Sequence, residues 1–142
     1  MFDAVLVLCT GNICRSPYAE AKLKQVFPKK QIQSAGIGAL EGHSADAMGQ
    51  QLAEQRGVDL SAHVARQVDR RLVNTSDIII VMDDSHLKGL FRKYPEARGK
   101  TFKLAKWLGD KNIGDPYQKS AEFFGIVFDE IDKAVASWQG KL

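Results

Sequence analysis

Two stretches of this 142-residue chain, Ala4-Val5-Leu6-Val7-Leu8 and Ile78-Ile79-Ile80-Val81-Met82, are apolar at every position. A strand with one wetted face alternates apolar and polar side chains, so an unbroken run marks a strand covered on both faces. Such strands belong to parallel sheets flanked by helices, and the rest of the chain fits that plan. Ser16-Pro17 offers a helix cap and a first-turn proline, and Ala19, Leu23 and Phe27 then recur every four residues until Pro28. Gln31 to Gly36 reads as a short second strand, and Ser44 to Arg56 as an amphipathic helix with Met48 and Leu52 inward and Gly57 as its stop. After Ile78–Met82 the pattern predicts a helix from about Ser85 to Tyr94 ended by Pro95, and a fourth, shorter strand over Thr101 to Leu104. A long last helix places Phe124, Val127, Phe128, Ile131, Val135 and Trp138 on one face. The alternation predicts an α/β fold, a single three-layer domain over residues 1–142 with a parallel sheet and right-handed crossovers.

In such sheets ligands bind beyond the carboxyl ends of the strands. The segment there is Cys9-Thr10-Gly11-Asn12-Ile13-Cys14-Arg15-Ser16, between the first strand and the first helix. Backbone N–H groups of a tight strand-to-helix loop converge, and the helix dipole adds positive potential, so the loop suits an oxyanion such as phosphate. Arg15 supplies a planar fork for two phosphate oxygens. The same field stabilises a thiolate at Cys9, making it a nucleophile, and Ser16, besides capping the helix, is placed to hydrogen-bond that sulfur. Gly11 is expected to take a positive φ, and Asn12 to do likewise. A cation at the positive end of a helix, as Arg15 is, is unfavourable unless an anion compensates.

Other classes fit less well. The net charge is only +3 and the Lys/Arg residues are spread out, with no finger spacing, RNA-binding aromatic motif or basic amphipathic helix, so no nucleic-acid partner is expected. The apolar runs are far too short to insert in a membrane and no charged n-region precedes the first, which predicts a cytoplasmic protein. The loop lacks the Gly-Lys-Ser/Thr ending of a nucleotide-binding phosphate loop. Zinc is not expected either, since Cys9 and Cys14, the only cysteines, have no paired Cys/His ligands at metal spacing. His43 and His86 read as surface or capping residues, and Trp107 and Trp138 as packing.

The run Val7-Leu8-Cys9-Thr10-Gly11-Asn12-Ile13-Cys14-Arg15-Ser16-Pro17 resembles the low-molecular-weight protein tyrosine phosphatases, and Ser34-Ala35-Gly36 and Asp115-Pro116-Tyr117 are similar to that family's second-strand motif and general-acid loop. The resemblance implies a four-stranded sheet in the order 2-1-3-4 and a two-step hydrolysis without cofactor or metal. Cys9 attacks phosphorus, Arg15 and the loop from Thr10 to Cys14 hold the equatorial oxygens, and Asp115 serves as acid, then base. Without the resemblance, Asp115-Pro116 reads as an ordinary turn. By the same likeness His63, in Ser61-Ala62-His63, supports the loop with Asn12 and Ser16. Leu40 and Tyr117 line an aromatic slot beside Ile13, and Cys14 matches a loop cysteine able to form a reversible disulfide with the nucleophile. Gln118 stands where eukaryotic members have a second tyrosine, which points to a bacterial branch. Its implied partner is a phosphotyrosine protein, a bacterial tyrosine autokinase of capsule or exopolysaccharide export, with phosphate or vanadate as inhibitory oxyanions. Two rival readings are arsenate reductase chemistry, for which the chain lacks resolving cysteines after Cys14, and a silent phosphopeptide-binding module, which has no need of Cys9, Arg15 and Asp115 together.

Overall fold

A computed structural model describes residues 2–142. It contains strands β1 (Ala4–Cys9), β2 (Gln31–Gly36), β3 (Ile78–Val81) and β4 (Thr101–Lys103), and helices α1 (Arg15–Val26), α2 (Ala47–Gln55), α3 (Arg70–Thr75), α4 (Asp84–Lys93) and α5 (Ala121–Ala136). All pairings are parallel, in the order β2-β1-β3-β4, so the two fully apolar strands lie at the centre of the sheet as their composition requires. In register, Val5 sits between Ile32 and Ile78.

Because a strand alternates its faces, the apolar runs feed two cores at once. Val5, Val7, Cys9, Ile78 and Ile80 join one, against Tyr18 and Leu23 of α1, Ala53 of α2 and Phe124, Phe128 and Ile131 of α5. Leu6, Leu8, Ile79 and Val81 join the other, against Leu72 and Val73 of α3 and Leu90 of α4. This makes the three layers. No helix among the described residues is long and apolar enough to cross a membrane.

Several boundaries depart from the sequence pattern for local reasons. The helix expected from Ser44 begins at Ala47, because Asp46 accepts from Met48 N and Gly49 N as its cap, while Ser44 is drawn into a bridge with Val64. α4 likewise starts one residue before Ser85, capped by Asp83. α3 was not anticipated: six residues with only Leu72 and Val73 buried show too little periodicity, although Asp69 caps it. Trp138 lies beyond α5, in the following turn, yet is buried and donates from Nε1 to Leu104 O at 2.8 Å. Gly36, at the end of β2, is obligatory by proximity: a Cβ there would sit 2.5 Å from Thr10 O. The absence of a side chain lets β2 press against the loop that follows β1.

Candidate active site

β1 ends at Cys9 in the middle of the sheet's carboxyl edge, and α1 begins at Arg15, leaving five residues to turn the chain. Asn12 makes that turn in the left-handed region, at φ 58°, whereas Gly11, expected there too, is not among the positive-φ glycines. The conformation is uncommon for a residue with a Cβ and needs local compensation. Asn12 has it: Oδ1 accepts from Arg66 N at 3.0 Å, and Nδ2 donates to Ser16 Oγ at 2.8 Å and Ser34 Oγ at 3.0 Å. Its carbonyl accepts from His63 Nε2 at 2.6 Å, and Ser34 in turn donates to Glu20. The loop's curvature is thus held from behind by a polar network that includes His63.

Ser16 is not the cap. Cys14 occupies that position with no side-chain cap bond, and Ser16, in the first turn, has its Oγ 2.9 Å from Cys9 Sγ. Either atom can be the donor there, and the serine's partner is the sulfur rather than the helix end. The second cysteine is in a different electrostatic position. Burial, the charge of Asp46 and the proximity of Cys9 all push the Cys14 thiol up, far above the range in which it ionises.

Arg15 is 2% exposed, an environment in which a guanidinium must be paired. Nη1 donates to Asp83 Oδ2 at 3.0 Å and to Ile113 O at 2.8 Å, and Nη2 reaches Thr10 Oγ1 at 3.4 Å and lies 3.7 Å from Asp115 Oδ2. Nε is buried and has no partner. The fork is therefore anchored on one edge and presents an unspent donor on the other, the arrangement needed to receive an oxyanion. Burial alone would raise the Asp83 carboxyl, but hydrogen bonds from Ser85 and Arg15 outweigh it and hold it below the usual carboxylate range.

Asp83 and His86 are functional neighbours that sequence reasoning missed. Of the two readings offered for His86, surface or capping, the second holds: it completes a capping box with Asp83 at the start of α4 and is 2% exposed. Its Nδ1 accepts from the backbone N–H groups of Met82 and Asp83, at 3.2 and 3.3 Å, which fixes the proton on Nε2 and makes it the donor to Thr10 Oγ1 at 2.9 Å. Burial, aided by the charge of Arg15, lowers its pKa from the ordinary 6.5 to about 4. The folded chain then binds fewer protons than the unfolded chain between those values, so stability rises with pH across that window and is lost as pH falls toward about 4. The expected loss is about 3 kcal/mol. Denaturant unfolding at pH 7, 5.5 and 4 measures it, and His86→Asn is expected to flatten the dependence.

The pocket in front of this assembly encloses ≈ 150 Å³. Cys9, Thr10, Gly11, Ile13, Cys14 and Arg15 form its floor, and Leu40, Asp115 and Tyr117 its rim, with Gly38 an addition that the sequence did not suggest. Asn12, Ser16 and His63 stand behind the floor. Asp115 holds Oδ1 on Tyr117 N at 3.0 Å, which leaves Oδ2 toward Arg15. Larger grooves of ≈ 700 and ≈ 420 Å³ run along residues 57–63, but they are lined by no cysteine and no unpaired buried donor. Volume and chemistry disagree about the site, and chemistry decides: among the described residues, only the small pocket joins a cysteine, an arginine and an aspartate.

Residues 4–142 match the family model of the low molecular weight phosphotyrosine protein phosphatases. The chain is 44% identical over 137 residues to the low molecular weight protein-tyrosine-phosphatase Ptp of Acinetobacter johnsonii, covering 96% of each. Its structure is similar to that of Vibrio vulnificus Wzb in complex with benzylphosphonate, with a TM-score of 0.97, 41% identity and 100% of both chains covered. It is also similar to the tyrosine phosphatase Wzb from Escherichia coli K30 in complex with sulphate, with a TM-score of 0.96, 44% identity and 99% of both chains covered.

Proposed function

Since the chain belongs to the low molecular weight phosphotyrosine protein phosphatases, we propose that it hydrolyses phosphotyrosine in proteins with Cys9 as nucleophile, Arg15 as phosphate clamp and Asp115 as general acid and base. The observation that carries this reading is the Arg15 guanidinium, buried beside the loop with Nε unpartnered and Nη1 anchored on Asp83 and Ile113. In the first step the Cys9 sulfur forms a bond to phosphorus as the bond from phosphorus to the tyrosine oxygen breaks. Asp115 gives its proton to that departing oxygen. In the second, a water oxygen bonds phosphorus, the sulfur–phosphorus bond breaks, Asp115 takes the water's proton and inorganic phosphate leaves. Arg15 and the amides from Thr10 to Arg15 stabilise the equatorial oxygens in both steps. Ser16, 2.9 Å away, stabilises the sulfur as attacking and leaving thiolate.

A ring reaching out from phosphorus would run between Ile13, Leu40 and Tyr117, the apolar part of the wall. The bound ligand of the Vibrio vulnificus relative, benzylphosphonate, has that shape, a flat ring with a tetrahedral oxyanion. The physiological substrate we infer is a bacterial tyrosine autokinase of capsule or exopolysaccharide export, met in the cytoplasm; the likeness to Wzb supports it.

The test is turnover of one peptide carrying phosphotyrosine or phosphoserine, with arsenate reduction run in parallel. The phosphotyrosine form is expected to be cleaved by about 10²-fold or more in preference, since the short serine leaves the ring-binding wall uncovered and its alkoxide is a poorer leaving group. Equal rates would refute the selectivity, and thiol-dependent arsenate reduction without peptide turnover would replace the reading with its rival.

A further inference from the structure

Lys103, the last residue of β4, is 8% exposed. A lysine so buried must be paired. Its Nζ lies 2.9 Å from Asp84 Oδ1 and donates to Asn112 Oδ1 at 3.2 Å. That same amide oxygen accepts from Asp84 N at 3.1 Å, and Asn112 Nδ2 returns a bond to Asp84 Oδ2 at 3.4 Å. Three side chains from β4, the start of α4 and the segment after β4 thus close on one another.

The next residue along carries the consequence. Ile113 is fully buried, its N–H donates to Met82 O at 3.0 Å, and its carbonyl accepts from Arg15 Nη1. Asp115 follows two residues later. The segment bearing the carboxylate is therefore pinned at Asn112 and Ile113 immediately before the exposed residues that form the pocket rim. The two first residues of the α4 turn divide the work: Asp83 holds the Arg15 fork, and Asp84 holds Asn112. Only Gly114 separates the pinned Ile113, whose carbonyl is bonded to the cation, from the carboxyl-bearing residue.

We propose that Lys103, Asp84 and Asn112 form a clamp that positions Asp115 for proton transfer, with Asn112 as the positioning residue. The inference rests on the general-acid reading of Asp115. Were the clamp only a surface ion pair, its loss would be nearly silent. Acting on a proton donor, a small displacement has a large effect.

Asn112→Ala is expected to lower kcat on phenyl phosphate about tenfold, with inhibition by inorganic phosphate unchanged. On 4-nitrophenyl phosphate, whose leaving group needs little protonation, the loss should shrink. In an Asp115→Ala background Asn112→Ala should cost nothing further, because two changes acting through one proton are not additive. Lys103→Arg should retain activity where Lys103→Met does not, and since the latter position is buried, Asn112→Ala remains the deciding variant if Lys103→Met fails to fold. A fully active Asn112→Ala enzyme, or a loss that persists undiminished without Asp115, would overturn the proposal. If Asp115→Ala itself costs nothing on phenyl phosphate, the general-acid assignment is what fails, and the positioning role falls with it.

Discussion

Cys9→Ser is expected to reduce turnover of 4-nitrophenyl phosphate by about 10⁴-fold or more while phosphate and vanadate still bind. The two halves of that result come from different parts of the site. Binding depends on the loop amides and on Arg15, whose anchors at Asp83 and Ile113 do not involve the sulfur. Asn12 keeps its bonds to Arg66, Ser34 and Ser16, so the loop retains its curvature. Turnover depends on the nucleophile at residue 9, and a serine hydroxyl is a far weaker one than a cysteine sulfur. Cys14→Ser is the contrast: that thiol is pushed up by burial and by Asp46, and its replacement is expected to leave most of the turnover intact. Substantial residual activity in Cys9→Ser, or its abolition in Cys14→Ser with Cys9 present, would reassign the nucleophile. Equilibrium binding of vanadate by fluorescence or calorimetry, alongside turnover, separates a lost nucleophile from a collapsed loop.

The readable parts of this molecule are those in which neighbouring residues determine the outcome. β1 and β3 could be recognised because burial on both faces forbids polar residues anywhere in the run, and the Cys9-to-Ser16 loop because strand, anion-binding turn and helix follow one another without interruption. Asp115 was legible only through resemblance, since an aspartate before proline is also what an ordinary turn contains. Asp83 and His86 escaped for a topological reason. They touch Arg15 and Thr10 because β1 and β3 are adjacent in the sheet, a fact of strand order that the local pattern does not contain. Their one local signal was a cap spacing, Asp83 and His86 three apart directly after a buried strand; it does mark the start of α4, but nothing in it tells of the contacts to Arg15 and Thr10. Ser16 was half legible. Its bond to the Cys9 sulfur was expected and is present at 2.9 Å, but the cap also expected of it is not, because Cys14 holds that position and the hydroxyl faces the sulfur.

Asp115→Ala is expected to slow hydrolysis of phenyl phosphate by about 10²- to 10⁴-fold, with a markedly smaller loss on 4-nitrophenyl phosphate. As the proposed general acid, the carboxyl has a single duty in the first step, to neutralise charge on the departing oxygen, and that duty shrinks as the leaving group stabilises its own charge. The position suits it. Oδ1 is occupied by Tyr117 N, so only Oδ2 is available at the mouth of the pocket, 3.7 Å from Arg15 Nη2. The carboxylate also neutralises part of the arginine, so alanine should leave phosphate bound at least as well as before; Arg15 keeps its stronger partner in Asp83 at 3.0 Å. Asp115→Asn discriminates further. The amide has the shape and can accept from Tyr117 N, yet has no acidic proton to give, so it should resemble alanine in rate and aspartate in stability. A plot of log kcat against leaving-group pKa is the measurement, expected to be nearly flat for the parent enzyme and steep for both variants. If the largest losses fell on the best leaving groups, Asp115 would be acting on binding or on the second step alone, and the protonation of the tyrosine oxygen would have to come from another group on the rim.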